Sequence, residues 1–285
     1  SVGAVLLVAG LVLAGLCGLW WLGGREPVYR ISRGEPVWFV ATRGAGTPAL
    51  APGVRINWAA RPDFGFVGPA DPWWDRVLLL SGGAVGQPPV AFGAGVDDAM
   101  ILRLALMRPP RLALGLLRGL LTLGILRPPT GPVAEDLAGM GLRPDLMPDR
   151  DGIARLLARP ADYRPAMVNF LRYFDAARYA EPRPDARPST GAAAYRRYGV
   201  VAMRTVYQTR GFLAFYGQVS EIVRPAAAGP AIGTWDDVAV MQYRRPEGIL
   251  TMEHVPRYRA ALAHRDAGLE RTLVIAATAD GPAAH

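Results

Sequence analysis

Residues Val2–Leu22 form an apolar run that contains no charged side chain. An α-helix rises about 1.5 Å per residue, so this run would reach about 30 Å, the thickness of a bilayer's hydrocarbon core. Trp20 and Trp21 lie at its end, where amphipathic indole rings favour the membrane interface. No basic segment precedes the run and no A-x-A site follows it, which disfavours a cleaved signal peptide. The run therefore predicts a transmembrane anchor over residues 1–24.

Basic residues follow the apolar run, and no side-chain charge precedes it. Arg25, Arg30 and Arg33 lie directly after the predicted span. Basic residues near the end of a span favour the cytoplasmic side, whereas acidic residues contribute little to orientation. This pattern predicts a single-pass protein of the bacterial inner membrane with the bulk of the chain in the cytoplasm.

The composition indicates contact with lipid or with other proteins. Hydrophobic residues make up 51% of the chain and the mean hydropathy is +0.15, which is high for a soluble domain. All 32 basic residues are arginine, and the net charge is +8. We expect no nucleic-acid partner, because no stacking-aromatic platform or groove-reading motif accompanies the charge. The arginines are instead predicted to face membrane lipids or the acidic surfaces of other membrane-protein subunits.

Cysteine and glycine usage argues against several kinds of cofactor site. Cys17 is the single cysteine, so no internal disulfide forms and no Cys/His cluster for zinc is present. The glycines of residues 44–86 match neither G-x-G-x-x-G nor the Walker pattern, and the chain has no lysine for the latter. We therefore expect no metal and no cofactor.

The region 25–130 is rich in proline, glycine and tryptophan. Strands are predicted over Val37–Thr42 and Arg76–Leu80. The segment Met100–Leu126 is predicted to form two helical pieces, because a Pro-Pro pair at 109–110 interrupts it. One interpretation places this segment on the membrane surface with its arginines facing headgroups; the other is a helix pair packed in a soluble core. In the first interpretation the interfacial residues are Trp20, Trp21, Arg25, Arg103, Arg111 and Arg118.

Residues 131–162 are predicted to be a linker rich in proline and glycine, and residues 163–280 a regular α+β domain. A first helix begins at Ser189 or Thr190 and ends at Gly211, and a second has a break near Pro256. The resulting order is βαββαβ, the ferredoxin-like split unit. The strands are predicted over Ala166–Tyr173, Phe212–Val223, Val238–Tyr243 and the stretch ERTLVIAAT.

Four motifs connect this domain with a known superfamily: MVNFLRY, AYRRYG, WDDVAVMQY and HRDAGLERTLVIA. On these motifs, Tyr163–Ala277 resembles a family of bacterial domains of unknown function in the dimeric α/β-barrel superfamily. The resemblance implies two sheets packed face to face, usually from two chains, and it supplies no established catalytic residues. A homodimer or an internal pseudo-dimer would satisfy this packing.

A short internal similarity bears on which arrangement applies. WDRV at residues 74–77 resembles WDDV at residues 235–238, and an apolar run follows each. The region 25–130 is therefore a candidate degenerate copy of the same fold. The predicted fold class is α+β: a transmembrane helix followed by ferredoxin-like units, with a tandem pair completing an α/β barrel within one chain.

The stretch HRD at residues 264–266 is the most conspicuous polar cluster near the end of the chain. His264 and Arg265 occupy consecutive positions of a helix and cannot face one pocket with Asp266, so a helix end that complements the dipole is favoured over an active site. We assign no catalytic residue and no metal ligand. If the domain binds a ligand, the candidate pocket residues are Asn169, Arg172, Tyr195, Tyr198, His264 and Arg265.

Two functions remain in competition. The favoured one is a non-catalytic, membrane-anchored accessory or scaffolding subunit of a larger inner-membrane complex, for which respiratory and photosynthetic complexes are natural hosts. The alternative is a small-ligand-binding protein, or a monooxygenase- or isomerase-like enzyme of the barrel superfamily. The second function needs a deep pocket with convergent polar groups.

Overall fold

The computed structural model describes residues 2–183 and 189–281 of the 285-residue chain. The described helices are α1 (Val2–Leu22), α2 (Arg111–Thr122), α3 (Arg150–Leu157), α4 (Gly191–Gln208), α5 (Gly248–Thr251) and α6 (Pro256–Gly268). The described strands are β1 (Val37–Arg43), β2 (Ala49–Leu50), β3 (Val54–Val67), β4 (Arg76–Gly82), β5 (Val90–Ala91), β6 (Asp98–Leu106), β7 (Pro165–Tyr173), β8 (Phe212–Arg224), β9 (Asp237–Gln242) and β10 (Leu269–Ala279).

Eight of these strands close into one antiparallel barrel, in the order β1-β4-β3-β10-β7-β9-β8-β6. Each half of the chain contributes four consecutive strands of the barrel. If the four barrel strands of each half are numbered along the chain, both halves have the spatial order fourth, first, third, second: β6-β1-β4-β3 and β10-β7-β9-β8. Two seams join the halves, because β3 pairs with β10 and β6 pairs with β8. The ranges 25–130 and 163–280 therefore share a single closed sheet.

Side chains fill the barrel interior. Phe39 of β1 meets Phe170 of β7 edge to face, with ring centroids 5.6 Å apart. Trp58 of β3 packs against Phe215 of β8 at 5.5 Å. These four rings come from both halves and are buried in one core. The interior is thus a packed core, as is usual for eight-stranded barrels of this size.

The two halves differ in what covers the outside of the barrel. In the C-terminal half, α4 and α6 pack on the outer face and enclose a second apolar core. In the N-terminal half, loops that carry the β2–β5 ribbon replace both connecting helices. A smaller cluster around Trp38 and Leu80 lies on that side. Among the described residues, the helices that connect barrel strands therefore pack over the C-terminal half, whereas α3 packs on β3 of the N-terminal half.

Local sequence signals account for several observed boundaries. The side chain of Thr190 accepts a hydrogen bond from the Ala193 amide at 3.1 Å, so the predicted N-cap of α4 is confirmed. The predicted break at Pro256 is also confirmed, because α6 begins there. The stop at Gly211 is wrong in detail: α4 ends at Gln208, and Arg210 takes the left-handed conformation with φ 66°.

The helix predicted for the first part of Met100–Leu126 is wrong, because residues 98–106 form β6. Ile101 packs outward into the cluster around Trp38, whereas Leu102 points into the barrel. A strand that is buried on both faces has no polar alternation, so its pattern cannot be distinguished from a buried helix. The second predicted piece is confirmed as α2.

The predicted linker 131–162 is not a free spacer. It contains α3, whose N-cap Asp149 accepts a hydrogen bond from the Gly152 amide at 2.7 Å. Ile153 and Leu156 of α3 are fully buried in the second core. The proline and glycine content predicted the loops of this segment, whereas its three apolar anchors at positions 146, 153 and 156 are set by packing against β3 and β10.

Because both halves share one core, damage to one half should destabilise the other. We expect Phe170→Ala to lower the free energy of unfolding by about 3–5 kcal/mol. Amide hydrogen exchange should accelerate in β1 as much as in β7, since Phe170 contacts Phe39 across the barrel. Leu157→Ala, at an exposed leucine of α3, is the control and should have little effect. Exchange that rises in β7 alone would show that the halves unfold separately.

Candidate ligand-binding cleft

A cleft of about 720 Å³ lies between α4 and the outer face of the C-terminal sheet. Its volume falls in the range of small-molecule sites. Apolar side chains from the sheet and the helix form most of its walls: Leu106, Met107, Val200, Met203, Val206, Leu213 and Met241. Polar groups meet at its floor. The cleft therefore has the general character of a pocket for a largely apolar molecule.

The floor holds a buried carboxyl group bound by two phenols. Asp237, at the start of β9, is only 8% exposed. Its Oδ2 accepts hydrogen bonds from the hydroxyls of Tyr173 and Tyr216, the latter at 2.5 Å. The two hydroxyl oxygens lie 2.7 Å apart. In the described part of the chain no group donates a hydrogen bond to Oδ1 of Asp237. One oxygen of this carboxyl group is thus satisfied by protein, and the other has no protein donor.

Strand register explains why these three residues meet. Asp237 pairs with Leu171 of β7 and with Gln218 of β8. The strand registers therefore fix which residues lie beside it on both neighbouring strands. Tyr173 lies two residues beyond Leu171, and Tyr216 lies two residues before Gln218. Side chains two apart on a strand share a face. All three polar side chains therefore project from the outer face of the sheet towards α4.

Burial changes the acid–base behaviour of this cluster. Burial raises the pKa of Asp237 above its usual value, although the two tyrosine hydroxyls oppose the shift by stabilising the carboxylate. Burial also raises the pKa of Tyr173 and of Tyr216. The tyrosines are therefore neutral donors at physiological pH, and the carboxyl group is more readily protonated than a surface aspartate.

The rim of the cleft carries charged residues that are largely paired. Arg172 donates to Asp236 at 3.1 Å and lies 3.4 Å from Glu270. Asp236 also accepts the amide of Tyr173 at 2.8 Å, which ties the rim to the floor. Arg196 of α4 lines the cleft from the helix side. The rim is thus polar, whereas the walls below it are apolar.

Three of the six predicted pocket residues line this cleft: Arg172, Tyr195 and Tyr198. The ring of Tyr195 stacks 5.2 Å from Tyr173, and Tyr198 continues towards Tyr258 of α6 at 5.9 Å. Burial raises the pKa of Tyr195 as well. Tyr195 and Tyr198 therefore form part of the aromatic wall and contribute no charge.

The other three predicted residues are occupied elsewhere. Asn169 donates to the carbonyls of Met167 and Ala239 at 2.9 and 3.3 Å. The Nδ1 atom of His264 lies 2.7 Å from the hydroxyl of Tyr179, in a separate depression on α6. Arg265 lies 3.5 Å from the sulfur of Met147. The structure does not bring them to the Asp237 floor.

The residues at the floor were within the quoted motifs but were not selected as site residues. Asp237 is the second aspartate of WDDV and Tyr173 ends MVNFLRY. The available signal for Asp237 was an acidic residue at the start of an apolar strand, on the face of the strand that a helix would cover. Tyr216 had no comparable signal, because tyrosine is a common strand residue. Among the described residues, no group of three or more His, Cys, Asp or Glu side chains could hold a metal ion.

The predicted interfacial arginines do not form one basic surface. Arg103 lies on β6 with its guanidinium 6.0 Å from the ring of Trp38. Arg111 stacks on Trp20 at 4.3 Å, and Arg118 forms an ion pair with Glu26 at 2.6 Å. The latter two thus turn towards the end of α1. Two more of the predicted interfacial residues, Trp21 and Arg25, stack on each other at 4.8 Å.

Comparisons with known proteins show no family for this chain. No family model matches it, and no curated protein matches it. Two crystal structures of RPA0582 are similar, one of the methylated protein and one described as a protein of unknown function from Rhodopseudomonas palustris. They are 28% and 26% identical, cover 48% of this chain and 93% and 95% of their own, and have a TM-score of 0.38. The chain is thus similar over about half its length to an uncharacterised bacterial protein.

The raised pKa of Asp237 predicts a specific dependence of stability on pH. Its carboxyl group stabilises the fold most when protonated, below the unfolded pKa of about 3.9, and this contribution is lost as the pH rises through the folded pKa. At pH 7.5 we therefore expect the free energy of unfolding of Asp237→Asn to exceed that of the wild type by about 1–3 kcal/mol. The difference should shrink towards pH 4.

Tyr216→Phe keeps the Asp237 carboxyl group but removes one donor that stabilises its charged form, so it should raise the pKa of Asp237 further. We expect it to steepen the loss of stability with rising pH. Denaturant titrations of the detergent-solubilised proteins across this pH range measure both effects. Parallel pH profiles for the wild type and Asp237→Asn would contradict a raised pKa of the Asp237 carboxyl group.

Proposed function

We propose that this chain is a membrane-anchored protein that binds a small, largely apolar molecule in the cleft beside α4. The single observation that carries the proposal is the Asp237 carboxyl group at the floor of an otherwise apolar cleft. Burying a carboxyl group costs stability unless it has partners, so a site that retains one is a functional candidate.

The floor suggests the chemistry of the ligand. The hydroxyls of Tyr173 and Tyr216 both contact Oδ2 of Asp237 and lie within hydrogen-bond distance of each other, so among the described residues Oδ1 is the carboxyl oxygen without a protein donor. A neutral ligand with a hydroxyl or amine donor would satisfy Oδ1, and its apolar remainder would lie against the methionine and leucine walls. The same carboxyl group is placed for proton transfer, which is the form an enzymatic role would take.

The anchor is the second part of the proposal. α1 is long and apolar enough to cross a membrane, and the rest of the protein buries none of its most apolar stretch. Signal sequences share these properties. The arginines at 25, 30 and 33 support the bacterial inner membrane with the barrel on the cytoplasmic side.

The strand order supports a tandem origin for the barrel. Each half has the fourth-first-third-second order of a ferredoxin-like sheet, and the pairing of β3 with β10 mirrors that of β6 with β8. We infer an internal pseudo-dimer of the dimeric α/β-barrel type, in which the first unit has lost both helices. In this interpretation a homodimer is not needed to close the sheet.

A second candidate function is the accessory subunit of a larger membrane complex. A row of small residues on α1 favours it: Gly10, Ala14 and Gly18 recur every four residues along one side of the helix. A Cβ added at Gly10 or Gly18 would meet nothing within 4 Å, so this side of α1 is open. Small residues at this spacing allow another transmembrane helix to approach closely.

The cleft proposal is tested by filling the cleft. Gly199 of α4 lines it, and a Cβ added there meets nothing within 4 Å. Gly199→Trp should therefore place a ring in the cleft without disturbing the backbone. Native mass spectrometry of protein purified from its membranes in mild detergent should show a bound small molecule in the wild type. The ring should lower its occupancy about tenfold or more, equivalent to 1.4 kcal/mol.

Two controls accompany this variant. Gly199→Ala changes the same position without filling the space, and His264→Gln alters the depression outside the cleft. Both should retain the bound molecule within a few-fold of the wild type. Retention by Gly199→Trp, or loss with His264→Gln alone, would move the site away from the Asp237 cleft.

The subunit candidate is tested on α1. Gly10→Leu and Ala14→Leu should release any co-purifying membrane protein, because they block the small-residue side. Val12→Leu lies on the opposite side of the helix and should not. All three proteins should remain in the pellet after alkaline carbonate washing. Release of the wild type by that wash would contradict the anchor, and equal co-purification with all variants would contradict the helix contact.

A further inference from the structure

α2 is fixed against the last turn of α1 by contact between the two backbones. A Cβ added at Gly115 of α2 would lie 1.9 Å from the carbonyl oxygen of Leu19. A Cβ added at Gly23 would lie 1.7 Å from the carbonyl oxygen of Arg111. Neither position accepts a side chain without movement. The depth of α2 relative to any membrane is therefore the depth of residues 19–23.

The arginines of α2 point inward at this junction. Arg111 donates to the carbonyl of Trp20 at 3.0 Å, and Arg118 donates to the carbonyl of Leu22 at 2.7 Å. The last carbonyls of a helix lack intrahelical donors, and cations near them complement the helix dipole. These two contacts therefore complete the end of α1 with protein groups.

A buried ion pair connects the same junction with the barrel. The carboxyl group of Glu26 is fully buried and lies 2.6 Å from the guanidinium of Arg118. The hydroxyl of Tyr207, at the end of α4, donates to the same carboxyl oxygen at 2.6 Å. Removing one partner of a buried pair is strongly destabilising. The anchor, α2 and α4 thus form one rigid unit.

The outer face of α2 is apolar. Leu112, Leu116 and Leu123 are 41%, 50% and 74% exposed, and on a helix of 3.6 residues per turn they lie within about 40° of one another. Ile125, just beyond the helix, is 70% exposed. A surface helix normally buries its apolar face and exposes its polar one. α2 also buries an apolar face through Leu114 and Leu121, but its arginines turn towards α1 and the remaining exposed surface is made of leucines.

We propose that this leucine face, defined as Leu112, Leu116, Leu123 and Ile125, is immersed in the bilayer that α1 spans. The inference rests on the anchor of the proposed function and adds a second membrane contact to it. The surface is continuous with the end of α1, where Trp20 and Trp21 are also largely exposed. The occupant is lipid and not water, because α2 is attached at the depth of residues that end a span.

This contact fixes the position of the cleft relative to the membrane. Met107, which lines the cleft, is four residues before Arg111 of α2. Four residues of extended chain reach at most about 14 Å. The mouth of the cleft is therefore held close to the membrane surface, where an apolar ligand would be concentrated.

Depth-resolved labelling of the full chain tests the proposal. Single cysteines are placed at Leu112, Leu116 or Leu123 in a Cys17→Ser background and labelled with an environment-sensitive fluorophore. The proteins are reconstituted into phosphatidylcholine–phosphatidylglycerol vesicles. We expect nitroxide groups on the lipid chains to quench these labels several-fold more strongly than aqueous iodide does. Leu157, an exposed leucine of α3, is the control position and should show the reverse.

A label at Val12 separates the two levels of the inference. Lipid quenching at Val12 together with iodide quenching at 112, 116 and 123 would overturn the immersion of α2 and leave the anchor intact. Iodide quenching at Val12 as well would overturn the anchor. Labels on α2 that neither quencher reaches would show that the leucine face is buried by protein, for instance in a second copy of this chain, and would also overturn the proposal.

Discussion

Two antiparallel seams, β3 with β10 and β6 with β8, hold this molecule together. Each half alone would expose the inner face of a four-stranded sheet, including rings such as Phe39 and Phe170, and two unpaired strand edges. Closing the barrel buries both inner faces and pairs all four edges at once. The N-terminal half depends on this closure most, because within residues 37–106, which are all described, no helix connects its barrel strands and covers its sheet.

No helix connects the barrel strands of the N-terminal half within the described residues 37–106, and this makes the barrel asymmetric. A cleft between helix and sheet needs a helix, and α4 provides one over the C-terminal sheet. At the corresponding side of the first half, the β2–β5 ribbon and a compact cluster around Trp38 leave no such arrangement. The N-terminal half thus completes the closed sheet, and the C-terminal half carries the candidate site.

α4 links the cleft with the end of α1. It lines the cleft through residues such as Tyr195, and its last turn carries Tyr207, whose hydroxyl donates to Glu26 just after α1. Burial raises the pKa of Tyr207 well above its ordinary value, so its hydroxyl remains a donor to that carboxyl group. A helix fixed at both ends positions the cleft wall relative to α1, which is useful if the ligand reaches the cleft from the bilayer.

Much of the fold could be predicted from local sequence signals. The uncharged run that became α1, the Thr190 cap and the Pro256 break each depend on interactions within a few residues. The same holds for the strands that begin at Val37, Arg76 and Phe212, whose lengths and turn signals are local. Tyr195 and Tyr198, two of the three predicted pocket residues that line the cleft, could be predicted for a similar reason, since they share a helix face that any packing would use.

The remaining features depend on partners distant in the chain. Residues 98–106 became a strand because β1 and β8 supply hydrogen-bond partners on both sides, and nothing in the local pattern distinguishes that from a helix. Arg118 faces inward because it pairs with the buried carboxyl group of Glu26, 92 positions away. Asp237 became the floor of a cleft only when the sheet register placed Tyr173 and Tyr216 beside it. The sequence by itself determined where the chain is apolar and where it turns; the tertiary structure decided which polar groups are desolvated together, because that depends on contacts that no local pattern encodes.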